Sequence, residues 1–151
     1  MTTTSETDHA IADTSWVKFS FYATSIIFNL CLIAQVFTVG VAYFTNPVWW
    51  NIHVWLVRGY GGLSLILLMG SLIAPFSGKV RSLTANLSVL LGLQFGSIYL
   101  KTPLHLEVLY PLIGFTLFYV SSSLVHHVSR EMFNKSDAVP ERMSEKYKSL
   151  R

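Results

Sequence analysis

Two histidines near the starts of apolar segments have the clearest capacity for chemistry in this sequence. His53 lies six residues after Pro47 in the segment NPVWWNIHVWLVR, and His105 lies two residues after Pro103 in the segment TPLHLE. An ionisable side chain inside a membrane is costly, so function is the default hypothesis for such a residue. A neutral imidazole nitrogen is also a good ligand for haem iron. The two histidines are therefore candidate axial ligands of one haem iron.

The sequence before each histidine predicts the start of a helix. Asn46 and Thr102 are residue types that accept hydrogen bonds from helix N-termini, and each is followed by a proline. If the two helices run in the same direction, His53 and His105 differ in depth by roughly 6 Å at 1.5 Å per residue. We therefore expect both imidazoles near one membrane face. The alternative, in which each histidine only hydrogen-bonds a neighbouring helix or reaches headgroup water, stays open.

Gln35 and Gln94 occupy equivalent positions in the two halves of the chain. Each lies late in an apolar segment and is followed by a proline-containing link and then by a histidine, His53 or His105 respectively. Two hairpins related by an axis along the membrane normal place such matching residues at similar depth. Both glutamines are therefore candidate cofactor contacts. Hydrogen bonding between helices is the alternative role.

Arg58 and Glu107 follow the histidines at spacings that place them on other helix faces. Arg58 is five residues beyond His53, about 140° around a helix, and Glu107 is two residues beyond His105, about 160° around. If the histidines face one iron, Arg58 and Glu107 contact neighbouring helices or partner subunits. If Arg58 and Glu107 form an ion pair between helices, the histidines turn outward.

The composition predicts an integral membrane protein. Of the 151 residues, 52% are hydrophobic and only 13% are charged, which is too apolar for an ordinary soluble domain of this size. Even the shortest of the apolar segments reaches about 27 Å as a helix, close to the hydrocarbon thickness of a bilayer. Short links make neighbouring helices antiparallel, so we expect an all-α, up-down-up-down four-helix bundle. Its four spans are residues 16–44, 47–74, 83–100 and 103–125.

Three regions follow from this pattern. Residues 1–15 are rich in Thr, Ser and acidic groups and predict a disordered lead, 16–129 form the transmembrane domain, and 130–151 are a basic tail. Basic residues lie mainly in the second link and the tail, so both termini are expected in the cytoplasm. The membrane is an inner or plasma membrane, or a thylakoid if the protein is photosynthetic. The tail supplies most of the net charge of +3, so we expect a lipid bilayer and no nucleic acid as partner.

At these same residues the sequence resembles a family of four-span prokaryotic membrane proteins known only as a domain of unknown function. The resemblance covers about residues 28–125 and rests on the Gln-Val-Phe-x-x-Gly pattern from Gln35, on Trp50 and His53, on Gln94, and on Leu-His at position 105. The chain is also distantly similar to one four-helix half of haem A synthase, which implies haem ligation by His53 and His105. The synthase half has a glutamate close before its first ligand, whereas this chain has Trp50 and Asn51 there. The likeness therefore implies cofactor binding without the synthase reaction.

Two functions are consistent with these residues. The first is a b-type-haem-binding electron-transfer subunit, with His53 and His105 as ligands, in a larger respiratory or photosynthetic assembly. The second is a haem-free structural subunit or assembly factor, in a membrane complex or homo-oligomer, held by its apolar surface and by Arg58 and Glu107. No zinc-ligand spacing and no hydrolytic triad can be recognised. The sequence therefore favours a carrier or accessory subunit over an enzyme.

Overall fold

The described chain is helical apart from short links. The computed structural model describes residues 4–99 and 109–148, and it describes side chains for residues 16–97 and 109–133. The fold over these residues is all-α, as the sequence predicts. It consists of four helices, which are α1 (Thr4–Phe44), α2 (Trp49–Ile73), α3 (Gly78–Tyr99) and α4 (Tyr110–Lys148).

Three stretches of helix in the described chain are long and apolar enough to cross a membrane. They are Trp16–Phe44 of α1, the whole of α2, and Tyr110–Phe133 of α4, with mean hydropathies of 2.0, 1.6 and 1.2. Together they indicate a membrane protein. The remaining helix, α3, has 22 residues and is about 33 Å long, but it carries Lys79 and Arg81 in its first turn. Its lower apolarity sets it apart from the other three helices.

Helix boundaries differ from the sequence prediction at several points, and α4 in particular continues to Lys148, beyond the predicted end at residue 125. α1 begins at Thr4, whereas we expected a disordered lead as far as residue 15. Acidic residues at positions 6 and 8 favour a helix here, because negative charge near a helix N-terminus stabilises it. α3 begins at Gly78, five residues before the predicted span. Ser77 explains this earlier start, since its hydroxyl accepts a hydrogen bond from the Val80 N–H at 3.4 Å.

The start of α2 follows the prediction only in part, since the helix begins at Trp49 rather than at Pro47, although Asn46 still accepts hydrogen bonds just before it. The Asn46 side-chain oxygen accepts a hydrogen bond from the Val48 N–H at 2.9 Å, and the Asn46 carbonyl accepts one from the Trp49 N–H at 3.1 Å. Asn46 therefore satisfies N–H groups that a helix start leaves without partners. At the other end of α2, Arg81 donates to the carbonyls of Ser71 and Ala74 at 3.2 and 3.4 Å. Side chains therefore form hydrogen bonds with backbone groups at both ends of α2.

Each helix packs against two others, with α1 and α3 each in contact with both α2 and α4. Along α1, Asn29 donates to Ser121 and Ser122 of α4 at 3.1 and 3.0 Å, and Gln35 donates to Tyr110 at 3.2 Å. α1 and α4 are therefore antiparallel. α1 and α2 are antiparallel as well. Phe28 of α1 packs edge-on against Tyr60 of α2, with ring centroids 5.6 Å apart.

Apolar side chains form both the core and the outer surface. Among the largest fully buried side chains are Tyr60, Phe28, Leu67, Leu87, Leu117 and Leu124. Trp55, Phe115 and Ile73 are 71%, 73% and 74% exposed, together with many other large apolar residues. A surface this rich in exposed apolar side chains is typical of contact with lipid or with other chains rather than with water.

Candidate functional site

His53 lies in the interior of the bundle. It is only 6% exposed, and the buried residues of α2, which are His53, Tyr60, Ser64, Leu67 and Ser71, follow one another at spacings of seven, four, three and four. This spacing is that of one helix face. The imidazole therefore belongs to the stripe that packs against the other helices. Trp50 covers one side of it, with an interplanar angle of 85° and ring centroids 5.4 Å apart.

Thr38 of α1 orients the His53 ring. Its hydroxyl oxygen lies 3.4 Å from His53 Nδ1, and the same hydroxyl donates to the Gln35 carbonyl at 2.9 Å. A hydroxyl has one proton, so Thr38 accepts from Nδ1 if it donates to Gln35. This arrangement favours the tautomer with the proton on Nδ1 and a lone pair on Nε2. Histidines that ligate metals commonly donate their other ring N–H to an oxygen in this way.

Gln35 links α1 to α4. It is buried, and its side-chain amide donates to the Tyr110 hydroxyl at 3.2 Å. Tyr60 of α2 lies in the same region, close enough to Gln35 and Tyr110 to interact with both. Its hydroxyl is buried and has no hydrogen-bond partner among the described residues. We call Gln35, Thr38, His53, Tyr60 and Tyr110 the interior polar cluster.

Gln94 of α3 lies beside the interior polar cluster. It is 4% exposed, and its amide nitrogen is 3.9 Å from the point where a Cβ on Gly114 would lie, one turn beyond Tyr110 in α4. Its side-chain oxygen is buried and lacks a hydrogen-bond partner among the described residues. The Tyr60 hydroxyl can therefore still donate or accept a hydrogen bond in this region, and the Gln94 oxygen can still accept one. Buried groups of this kind normally have partners.

Arg58 lies on the outside of α2. It is exposed, and its guanidinium carbon is 5.7 Å from the centroid of the Trp55 ring, which is also exposed. A guanidinium over an indole face is a cation–π contact. Arg58 and His53 thus point to different sides of the helix, as their spacing predicts. His105 and Glu107 lie outside the described residues, so neither the second proposed ligand nor the ion pair with Arg58 has a described position.

Sequence reasoning missed Thr38, Tyr60 and Tyr110. A seven-residue step from His53 leads directly to Tyr60, so helical periodicity could have identified it. The periodicity does not identify Thr38 or Tyr110, because each contributes from a different helix. Among the described residues, no three histidine, cysteine or acidic side chains come together as a metal-binding group.

The side chains beside His53 limit the space for a large cofactor. The Gln35–Tyr110 hydrogen bond joins α1 to α4 through the interior, and Phe28 packs on Tyr60 one helix away. A Cβ on Gly61 would contact the Phe95 ring at 3.5 Å. A porphyrin at His53 therefore requires the Gln35–Tyr110 contact to open. The donor set nevertheless suits such a group, because the described residues give His53 Nε2 no hydrogen-bond partner and give none to the buried oxygens of Tyr60 and Gln94.

Comparison with known proteins identifies one similarity. A family of unknown function (DUF6220) matches residues 35–100, somewhat less than half of the chain. No curated protein matches the chain. No solved structure matches it. The expected likeness to a family without known activity is therefore supported over part of the predicted range, whereas nothing links the chain to haem A synthase. The matched region begins at Gln35 and includes His53, Arg58 and Gln94, but it ends before His105.

Proposed function

We propose that this chain is a multi-pass integral membrane protein whose four helices form an up-down-up-down bundle with both termini in the cytoplasm. The support is that α2 and α4 each run opposite to α1, so they run in the same direction as each other. The chain must then cross the membrane once more between them, and α3 is long enough to do so. Lys79 and Arg81 at the start of α3 favour that end as the cytoplasmic one. Membership of DUF6220 is part of this proposal.

We further propose that the interior polar cluster, together with Gln94, is the site of one b-type haem, with His53 and His105 as axial ligands. The observation that carries this proposal is the buried His53 ring, whose Nδ1 lies 3.4 Å from the Thr38 hydroxyl, an arrangement that favours a lone pair on Nε2. A bound haem supplies a one-electron couple. Gln35 and Gln94 would hydrogen-bond its edge once the Gln35–Tyr110 contact has opened. The protein would then act as an electron-transfer subunit of a larger assembly.

An optical spectrum of the purified protein tests this function. Protein made in haem-replete cells is expected to give a sharp reduced α band, and His53→Ala or His105→Ala is expected to broaden or abolish it. His126→Ala is the matched control, because His126 is exposed and lies in the last third of the candidate span Tyr110–Phe133. A colourless wild-type preparation, or a band that survives both substitutions, would rule out the proposed ligation.

Arg58 supports a second candidate function, that of a haem-free structural subunit or assembly factor. Arg58 lies nine residues into α2, which is about 14 Å from the start of the helix and well inside the hydrocarbon region. A guanidinium that faces lipid at this depth is costly. A partner polypeptide with a carboxylate, whether another subunit or a second copy, would offset that cost. The side chains that fill the space beside His53 also favour this reading.

Native gels with two substitutions of Arg58 test the second function. Arg58→Leu is expected to reduce the size of the assembly extracted in mild detergent, because the charge that a partner neutralises is gone. Arg58→Lys keeps the charge and is expected to retain most of the assembly. An assembly of unchanged size with Arg58→Leu would contradict a partner contact at this position.

A further inference from the structure

A cavity at one end of the bundle brings together basic side chains from three helices. It has a volume of about 510 Å³, and we call it the basic cavity. Its lining residues come from α1, from the link between α2 and α3, from the first turn of α3, and from α4. They are Lys18, Pro75, Ser77, Lys79, His127, Arg130 and Glu131.

Positive charge is in excess in the basic cavity. Lys18, Lys79 and Arg130 are cationic, and Glu131 is the one carboxylate among its lining residues. Both carboxylate oxygens of Glu131 are occupied by Ser77, whose hydroxyl donates to one and whose N–H donates to the other at 3.4 Å. Glu131 therefore holds the start of α3 in place. Its single negative charge leaves the cavity with a net positive charge before His127 is counted.

His127 lines the same cavity as the cationic groups. Lys79 reaches it from α3, and Arg130 reaches it from α4. The cations on α3 and α4 therefore face a common volume. The N-terminus of α3, which is 22 residues long, contributes its own partial positive charge at Gly78. An anion in the cavity would meet cations from several directions.

The basic cavity lies at the level where lipid headgroups are expected. Lys18 is two residues inside the first candidate span, and Arg130 is three residues before the end of the last. Ser77 follows the end of α2 by four residues. All three elements therefore reach the cavity at their membrane-interface ends. This location depends on the proposed membrane insertion but not on haem binding.

We propose that the basic cavity binds a phosphate-bearing anion, and that its position favours the headgroup of an anionic phospholipid over free phosphate. Lysine and arginine are the side chains that proteins use for phosphate groups. Basic pockets between transmembrane helices on the cytoplasmic side bind anionic headgroups for this reason. The lipid would join α1 and α4 to the start of α3.

Native mass spectrometry of the full chain in non-ionic detergent tests this inference. Phosphatidylglycerol is expected to remain bound where phosphatidylcholine at the same concentration does not. Lys79→Gln and Arg130→Gln are each expected to weaken phosphatidylglycerol binding about fivefold. Lys146→Gln makes the same charge change in α4, about 24 Å further along the helix from Arg130, and is expected to leave binding within about twofold. Equal retention of the two lipids without binding of inorganic phosphate, or equal loss with all three variants, would overturn the proposal.

Glu131→Gln distinguishes a change in the binding site from misfolding. The amide keeps an oxygen that can accept from Ser77, but the substitution removes the one negative charge among the described residues that line the cavity. Binding is expected to strengthen, again by about fivefold, and a gain of affinity cannot arise from a damaged fold. Weaker binding by Glu131→Gln would contradict the proposal. The protein could instead bind inorganic phosphate, with the same ranking of affinities among the variants, and show no preference for phosphatidylglycerol. That result supports phosphate recognition and assigns free phosphate as the ligand.

Discussion

Replacing Thr38 by valine isolates the contact that orients His53. Valine has nearly the shape of threonine, and Thr38 is buried, so the main loss is its hydroxyl. That hydroxyl makes two contacts, one at 2.9 Å to the Gln35 carbonyl in its own helix and one at 3.4 Å to His53 Nδ1. Only the second contact joins α1 to α2.

Thr24→Val is the matched control for this substitution. The Thr24 hydroxyl also donates to a carbonyl of α1, that of Ser20 at 2.8 Å, and it contacts no histidine among the described side chains. The difference between the two variants therefore isolates the contact with His53. Hydrogen bonds between transmembrane helices contribute about 0.6 kcal/mol on average, or roughly a threefold change in the unfolding equilibrium constant. We expect Thr38→Val to be less stable than Thr24→Val by about this amount.

Haem affinity is the second measurement on the same pair of variants. Partners that hold a ligand histidine through its other nitrogen typically contribute a factor of 10 to 100 in metal affinity. Titration of haem into the purified protein, followed by absorbance, is expected to give a loss in this range for Thr38→Val. Thr38→Ser keeps the hydroxyl and is expected to recover most of the affinity. If Thr38→Val and Thr24→Val bind haem equally well, Thr38 does not orient the ligand and the assigned tautomer is wrong.

Four further substitutions test packing and polarity. Asn29→Leu removes two hydrogen bonds to α4 and is expected to lower stability by about 1 kcal/mol, measured by unfolding in mixed micelles. Gly70→Ala would place a methyl group 3.1 Å from the Phe21 ring and is expected to destabilise by about 1 kcal/mol. A methyl group added by Gly62→Ala meets open space, so this variant is expected to stabilise the protein by up to about 1 kcal/mol. If Gly62→Ala and Gly70→Ala changed stability equally, the packing of α1 on α2 would be contradicted. Gln94→Leu removes a buried oxygen without a described partner. It is expected to stabilise the haem-free protein by about 1 kcal/mol and to weaken haem binding. A loss of stability in the haem-free protein would mean that this oxygen already has a hydrogen-bond partner.

The sequence predicted much of the helical layout. The all-α class and three apolar spans followed from hydropathy, because about 20 apolar residues in one segment can only satisfy their backbone groups in a membrane as a helix. The role of Asn46 at the start of α2 followed from its residue type and from the adjacent Pro47. The early starts of α1 and α3 were not predicted, since Thr, Ser and charged residues near a helix N-terminus are compatible with both a helix and a loop.

The candidate site was predicted only in part. The separation of Arg58 from His53 around α2 was predictable, because 100° per residue is a local property of the helix. The contacts of His53 with Thr38, and of Gln35 with Tyr110, were not predictable. Each joins residues 15 or 75 positions apart, and the pairing depends on how two helices are rotated and aligned. Helix packing decides that rotation.

The sequence by itself determined an apolar, helical protein with a histidine early in its second helix. Local hydrogen bonding and side-chain polarity are enough to specify those properties, because they depend on residues a few positions apart. Only the tertiary structure decided that His53 faces the interior beside Thr38. It likewise decided that Lys18, Lys79 and Arg130 face one cavity. These residues are far apart in the chain, and only the packing of side chains between helices brings them together.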